Sequence, residues 1–253
     1  MTGPRSSADK KLDAPEHGSP VSPFGRRTVG ETLEDLRGGL VVSVQADAGS
    51  LLNTPESIAL LSRVAVANGA VGVRVEGLAR IGAVRRAVDA PIIGIVKRSY
   101  PRFEPYITAT EREIAEVTAA GAEIVAFDAT ERERPDGSDV GAAIGAIHDR
   151  AALAMADCAT VDDVRRAVDA GADIVATTLC GYTAATLGTP LPALDLVRAC
   201  AASGAFAICE GGLAGPADVV TAFEAGAHAV VVGTAITNID ALVRRFAAAL
   251  PRR

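Results

Sequence analysis

Eight short apolar runs, separated by Ala-rich amphipathic stretches, limit the folds open to this chain more than any other feature. The runs are Leu40–Gln45, Val71–Glu76, Ile92–Lys97, Ile124–Asp128, Leu153–Asp157, Ile174–Thr178, Phe206–Glu210 and Ala229–Gly233. They are nearly continuous in apolar residues, as strands are when a parallel sheet is covered on both faces. Pro55–Asn68, Glu111–Ala120, Val161–Ala170 and Pro216–Ala225 carry helical patterns between them. Asn68-Gly69-Ala70, Ala120-Gly121-Ala122, Ala170-Gly171-Ala172 and Ala225-Gly226-Ala227 each stop a helix just before a strand. Glycine there supplies a left-handed C-cap. These glycines recur at roughly fifty-residue intervals, about two strand–helix units apart. Eight such units predict an α/β fold, a single (β/α)8 TIM barrel, and 253 residues is an ordinary length for one. The alternative is an open doubly wound sheet, but no GxGxxG follows the first strand.

Residues 1–30 read differently. Pro4, Pro15, Pro20 and Pro23 stand among Gly and Ser with almost no apolar periodicity. We expect a disordered N-terminal tail over 1–30, with a partner-binding arm as the alternative, and the catalytic barrel over 31–253. The tail lacks the apolar stretch of a signal peptide, and no 18-residue apolar run follows, so neither a targeting segment nor a membrane span is expected. The balance of 25 basic against 31 acidic residues, net charge -6, argues against binding nucleic acid through bulk charge. Three histidines leave little room for a histidine-rich metal centre. Cys158, Cys180, Cys200 and Cys209 form no CxxC pair, which suits a reducing cytoplasm, and they read as small apolar fillers.

In a barrel of this kind chemistry lies at the C-terminal ends of the strands. Those positions hold Gln45, Arg74, Lys97, Asp128, Asp157, Thr177, Thr178 and Glu210, then Gly233 and Thr234. Ending apolar strands in ionisable groups is costly unless the groups are paired or used, so their convergence on one mouth predicts a polar substrate site. Each has a structural alternative. Lys97 would bridge to Asp157 or Glu210, Arg74 would pair with Glu76, and Asp128 would turn the next loop through Thr130. His148 and His228 read as structural or surface residues. Gly211 and Gly212 after the seventh strand, with Gly233 and Thr234 after the eighth, form a candidate anion site, because glycines let backbone N–H groups approach an oxyanion.

These residues also carry a family resemblance. Gly39–Gln45 (GLVVSVQ), Gly72-Val73-Arg74, Ile93–Pro101 (IGIVKRSYP), Phe127–Thr130 with Arg134–Gly137 (FDAT and RPDG), Met155–Asp157, Thr177–Thr183 (TTLCGYT), Glu210-Gly211 and His228–Gly233 (HAVVVG) resemble the N-acylglucosamine-6-phosphate 2-epimerases over about residues 31–250. The resemblance implies a barrel with neither metal nor redox cofactor. It implies interconversion of N-acetylmannosamine 6-phosphate and N-acetylglucosamine 6-phosphate in sialic acid catabolism. It places Lys97 and Glu210 at catalytic positions and Gln45, Arg74 and Asp157 at the substrate, to which our reading of the barrel mouth adds Asp128, Thr178 and Tyr182 as substrate contacts. The phosphate falls to Gly211, Gly212, Gly233 and Thr234. A small-molecule amino-sugar phosphate is the expected partner, and a cytoplasmic homodimer the expected state. Where the family carries two arginines this chain has Gly212 and Asn238, which leaves backbone amides, Arg98 or Arg102 to meet the phosphate. A Schiff-base aldolase using Lys97 and a non-catalytic phosphosugar binder are the alternatives.

Overall fold

The structure is a computed structural model that describes residues 28–251. Eight strands, β1 (Leu40–Val44), β2 (Gly72–Glu76), β3 (Ile92–Ile95), β4 (Ile124–Asp128), β5 (Leu153–Asp157), β6 (Ile174–Ala176), β7 (Phe206–Glu210) and β8 (Ala229–Val232), close into a barrel. Every neighbouring pair is parallel, and β1 bonds to both β2 and β8. The open-sheet alternative is thereby excluded. The helices are α1 (Val29–Leu36), α2 (Pro55–Ala67), α3 (Leu78–Arg85), α4 (Glu111–Ala119), α5 (Val140–His148), α6 (Val161–Asp169), α7 (Leu194–Ala202), α8 (Pro216–Glu224), α9 (Thr234–Thr237) and α10 (Ile239–Ala247). Gly69, Gly121, Gly171 and Gly226 have φ of 99°, 111°, 94° and 99°, the left-handed conformation expected where a helix gives way to a strand.

Residues 1–27 of the expected tail lie outside the described residues. At its far end the expected boundary after residue 30 is crossed by α1. Thr28 caps this helix through a capping box, accepting from Glu31 N at 3.2 Å while the Glu31 carboxylate accepts from Thr28 N at 2.6 Å. Leu36 at the end of α1 is fully buried in the barrel interior. Arg37 lies over the Phe206 ring at 5.2 Å and Gly38 N donates to His228 O at 2.7 Å. The helix therefore closes the N-terminal end of the barrel, and His228 belongs to that closure, its Nδ1 accepting from Ala207 N. His148 faces Asp173 at 2.8 Å on the outside. Both histidines are structural.

Side chains alternate along each strand between interior and helix layer. The interior holds Val41, Ile93, Ile95, Ile124, Ala126, Leu153, Met155, Ile174, Ala176, Phe206, Ile208, Ala229 and Val231. Two residues beyond the last interior position of β3, β4, β5, β6, β7 and β8 stand Lys97, Asp128, Asp157, Thr178, Glu210 and Gly233. The site is thus the next layer of the barrel interior, made polar.

The strands β1, β3, β6 and β8 end one or two residues before the expected Gln45, Lys97, Thr178 and Gly233, and β2 begins one residue after Val71. The chain turns out of the ladder at those tips. Lys97 pairs instead with Ile107 of its own loop, and Gly233, at φ -113° and ψ -86°, has left the extended region to cap α9.

Candidate active site

A cavity of about 600 Å3 opens at the C-terminal end of the barrel. Its walls include Gln45, Arg74, Lys97, Thr178, Tyr182, Glu210, Gly211, Gly212, Gly233 and Thr234. Ten of the expected site residues are therefore brought together.

Arg74 is the keystone of one wall. Its side chain is 1% exposed, and it reaches across the barrel to two carboxylates. Nη2 meets Asp157 Oδ2 at 2.5 Å, and Nη1 meets Asp157 Oδ1 at 3.0 Å and Glu210 Oε2 at 2.7 Å. Burial opposes the Arg74 charge, yet Asp157 and Glu210 outweigh it and hold the guanidinium above its ordinary pKa. Thr178 Oγ donates to Asp157 Oδ1 at 2.7 Å. Thr177 points out of the cavity and ties β6 to β7, accepting from Glu210 N at 3.0 Å and donating to Glu210 O at 2.8 Å. The expected alternative of an Arg74–Glu76 pair is not formed, since Glu76 pairs with Arg80.

Glu210 is held at the edge of this network, 13% exposed. Burial pushes its pKa up, Arg74 pulls it down, Asp157 pushes it up again, and the balance lies at about 7. Lys97 projects into the open cavity and donates from Nζ to Gln45 Oε1 at 2.7 Å, making no salt bridge to Asp157 or Glu210. Gln45 Nε2 in turn donates to Ser43 Oγ at 2.7 Å. Desolvation lowers the pKa of Lys97, and the Arg74 charge lowers it further against Glu210, Glu76 and Asp157. One cavity thus holds a carboxyl group raised toward neutrality and an ammonium lowered toward it. Such opposed shifts mark acid–base pairs.

Two expected contacts are placed elsewhere. Asp128 does not line the cavity. Its Oδ1 accepts from Thr130 N and Oγ, at 3.0 and 2.6 Å, and its Oδ2 accepts from Arg132 at 2.6 Å, so the turn-forming reading describes it. Asp157 is fully buried beneath Arg74 and Thr178 and is also absent from the cavity wall. Arg98 pairs with Glu113 at 3.4 Å and, like Arg102, stays out of the cavity. The four cysteines are buried, and Cys158, Cys200 and Cys209 have their thiols pushed up by burial, the reverse of an activated nucleophile.

The strand-end rule misses Tyr106, Asn238 and Arg245, which also line the cavity. Tyr106 belongs to a loop that folds back along the β3 extension, with Arg98 N donating to Tyr106 O and Thr108 N to Val96 O. Arg134 fixes that loop. It is 3% exposed and donates to Thr108 O and Asp128 O, at 3.0 and 2.8 Å.

Directly after β7, Gly211 and Gly212 have φ of 102° and 78°. A Cβ on Gly212 would stand 2.3 Å from Leu191 Cβ and 3.0 Å from its carbonyl carbon, so no side chain fits there. Asn238 is occupied as a helix cap, accepting from Ala241 N at 2.9 Å. Among the described residues no group of His, Cys, Asp and Glu converges as a metal site, and no helix is long and apolar enough to cross a membrane.

Residues 58–252 match the protein family described as "Putative N-acetylmannosamine-6-phosphate epimerase". The chain is 45% identical over 219 residues to the "Putative N-acetylmannosamine-6-phosphate 2-epimerase" of Yersinia pestis (strain Pestoides F), covering 85% of this chain and 91% of that one. It is 44% identical over the same shares to the protein so named in Yersinia pseudotuberculosis serotype O:1b (strain IP 31758). The solved N-acetylmannosamine-6-phosphate 2-epimerase from Clostridium perfringens superposes with a TM-score of 0.84 at 33% identity, over 89% of this chain and 99% of that one. Thiamine phosphate pyrophosphorylase from Pyrococcus furiosus shares the barrel alone, with a TM-score of 0.55 at 14% identity over 80% of this chain and 87% of that one.

Proposed function

The chain belongs to the N-acetylmannosamine-6-phosphate 2-epimerase family, and from that premise we propose how its own residues invert C2. The observation that carries the reading is the placing of Lys97 and Glu210 in one cavity, with pKa values displaced toward each other.

The reaction interconverts N-acetylmannosamine 6-phosphate and N-acetylglucosamine 6-phosphate. The ring opens to expose the C1 aldehyde, which acidifies the proton on C2. Neutral Lys97 takes that proton. The C2–H electrons move into a C1–C2 double bond, leaving an enolate with its charge on the C1 oxygen. Protonated Glu210 delivers its proton to the other face of C2, and the electrons return to the C1 carbonyl. Proton exchange with solvent then resets the ammonium and the carboxylate. Lowering the Lys97 pKa and raising that of Glu210 populate the forms this sequence requires.

Arg74 supplies fixed positive charge beneath the developing enolate, preorganised by two carboxylates and shielded from water. Asp157 acts through Arg74 and Thr178 rather than on the sugar. Gln45 orients the Lys97 nitrogen, and Thr178 and Tyr182 contact sugar hydroxyls. Gly211, Gly212, Gly233 and Thr234 receive the phosphate with backbone donors. A homodimer completes the reading, supported by the apolar face of α10 and the turn that follows it, where Val243, Phe246 and Leu250 are 61%, 76% and 69% exposed.

Incubation with N-acetylmannosamine 6-phosphate in D2O tests the proposal, with C2 followed by NMR. Deuterium is expected at C2 of both epimers. Loss of substrate with no deuterium at C2 would overturn the proton-transfer mechanism.

A further inference from the structure

Three cations line the cavity: Arg74, Lys97 and Arg245. Arg74 is bound to Asp157 and Glu210, and Lys97 donates to Gln45. The side chain of Arg245, on α10, makes no hydrogen bond or ion pair with any of the described residues.

We propose that Arg245 is the residue that recognises the substrate's phosphate, so that selectivity for the phosphorylated sugar is delivered by α10 rather than by the barrel loops. This rests on the epimerase reading above and adds a residue to it.

Asn238, Ala241, Leu242 and Arg245 all line the cavity, and their spacing of three, four and seven residues is one face of a helix. Arg245 is therefore turned to the same space as Gly211, Gly212, Gly233 and Thr234. The helix is tied there through Asp47. Asn238 Nδ2 donates to Asp47 Oδ1 at 3.3 Å, and Arg244 pairs with Asp47 Oδ2 at 3.2 Å. Asp47 thus satisfies the neighbouring arginine and leaves Arg245 to the cavity.

No other position on that wall can bring positive charge. Gly212 has no room for a side chain, and Asn238 is a neutral cap. Arg98 is engaged with Glu113 and Glu116. Backbone amides alone would meet a phosphate dianion with partial charges only. A guanidinium answers it with paired, charge-assisted hydrogen bonds.

The experiment compares wild type with Arg245→Ala, Arg245→Lys and Arg198→Ala. Arg198 carries the same charge on the outer surface, paired with Asp195. Turnover of N-acetylmannosamine 6-phosphate and inhibition by inorganic phosphate are measured for each. For Arg245→Ala we expect KM and the phosphate inhibition constant to rise together by about tenfold, with kcat within about twofold, as for loss of a charge-assisted contact partly screened by solvent. Arg245→Lys recovers part of the loss, and Arg198→Ala changes neither constant. A KM for Arg245→Ala within about twofold of wild type, or an equal rise in Arg198→Ala, overturns the proposal. Should wild type fail to turn over the sugar phosphate, the epimerase reading falls separately. The stabilisation of wild type by inorganic phosphate, read as a shift in Tm, and its loss in Arg245→Ala would still decide the role of Arg245.

Discussion

The two walls of the cavity are built on opposite plans. On the β2, β5 and β7 side, Arg74, Asp157 and Glu210 are 1%, 0% and 13% exposed and bonded to one another. On the β8 side, glycine backbone, the exposed Thr234 and a free arginine face open space. On the proposed mechanism the difference follows from what each wall handles. Moving a proton to and from carbon needs pKa values set by burial and fixed charge. Anchoring a dianion tolerates water and needs a way in. The buried wall is expensive to build and intolerant of change, while the open wall costs little and can be retuned.

The largest test of this contrast is Lys97→Met. We expect kcat to fall by about 10²-fold or more with an unchanged circular dichroism spectrum. If more than about a tenth of turnover survives, the base lies elsewhere. Asp157→Asn addresses the buried wall as structure. It leaves Arg74 short of a charged partner, and urea unfolding should show a loss of about 3 kcal/mol. Thr234→Ala on the open wall should stay within about 0.5 kcal/mol. Equal losses would erase the distinction between the walls.

Gly233→Val probes the seam between them. A Cβ there comes 3.2 Å from Ser43 Cβ, and Ser43 steadies Gln45, which holds Lys97. A reduction in kcat/KM of about tenfold is expected, shared between KM and kcat, because a small displacement of a positioned base is costly. A change in KM alone would mean that the open wall does not communicate with Lys97.

The gentlest probe is pH. The acid–base pair works while it carries one proton in total. The kcat/KM profile should therefore rise through about pH 7 as Glu210 loses its proton, and fall again below pH 10.5 as Lys97 does. Glu210→Gln should abolish turnover across the whole range. Stability runs the other way. The folded pKa of Glu210 is raised from 4.5 to about 7, so its contribution to stability is full below pH 4.5 and is lost as pH rises through 7. A Tm gain in Glu210→Gln at pH 8 that closes at pH 4 would register that cost, and no gain would show that the carboxyl is not raised in the folded protein.

Much of this was legible because β-strands have a period of two. Ile124–Asp128, Leu153–Asp157 and Phe206–Glu210 match their expected bounds, and in each the terminal acid shares the parity of interior residues. Parity also separates Thr178, in the cavity, from Thr177, which braces two strands. Reading strand ends alone blurs the two. It equally failed to separate Asp128, whose carboxylate is spent on its own loop, from Glu210, which faces the cavity. That distinction depends on Arg132, whose reach across a turn has no periodic signature. Arg245 and Tyr106 were invisible for the same reason, since a helix and a folded-back loop bring them in from outside the strand pattern. α1 left a sign in Thr28-Val29-Gly30-Glu31, a capping-box spacing, but it adjoins a proline-rich stretch that drowned it.

The joint between β1 and β8 carries a consequence for how this catalyst comes into being. Thr237 Oγ donates to Ser43 O across 194 residues of chain, and Gly233 rests against the same serine. A ribosome makes Gln45 and Lys97 early, yet the wall that completes their pocket is translated long afterwards. Contacts of such sequence separation form slowly. A nascent chain therefore holds Lys97 without a finished pocket around it, and on the proposed mechanism catalytic competence waits until the eighth strand docks on the first.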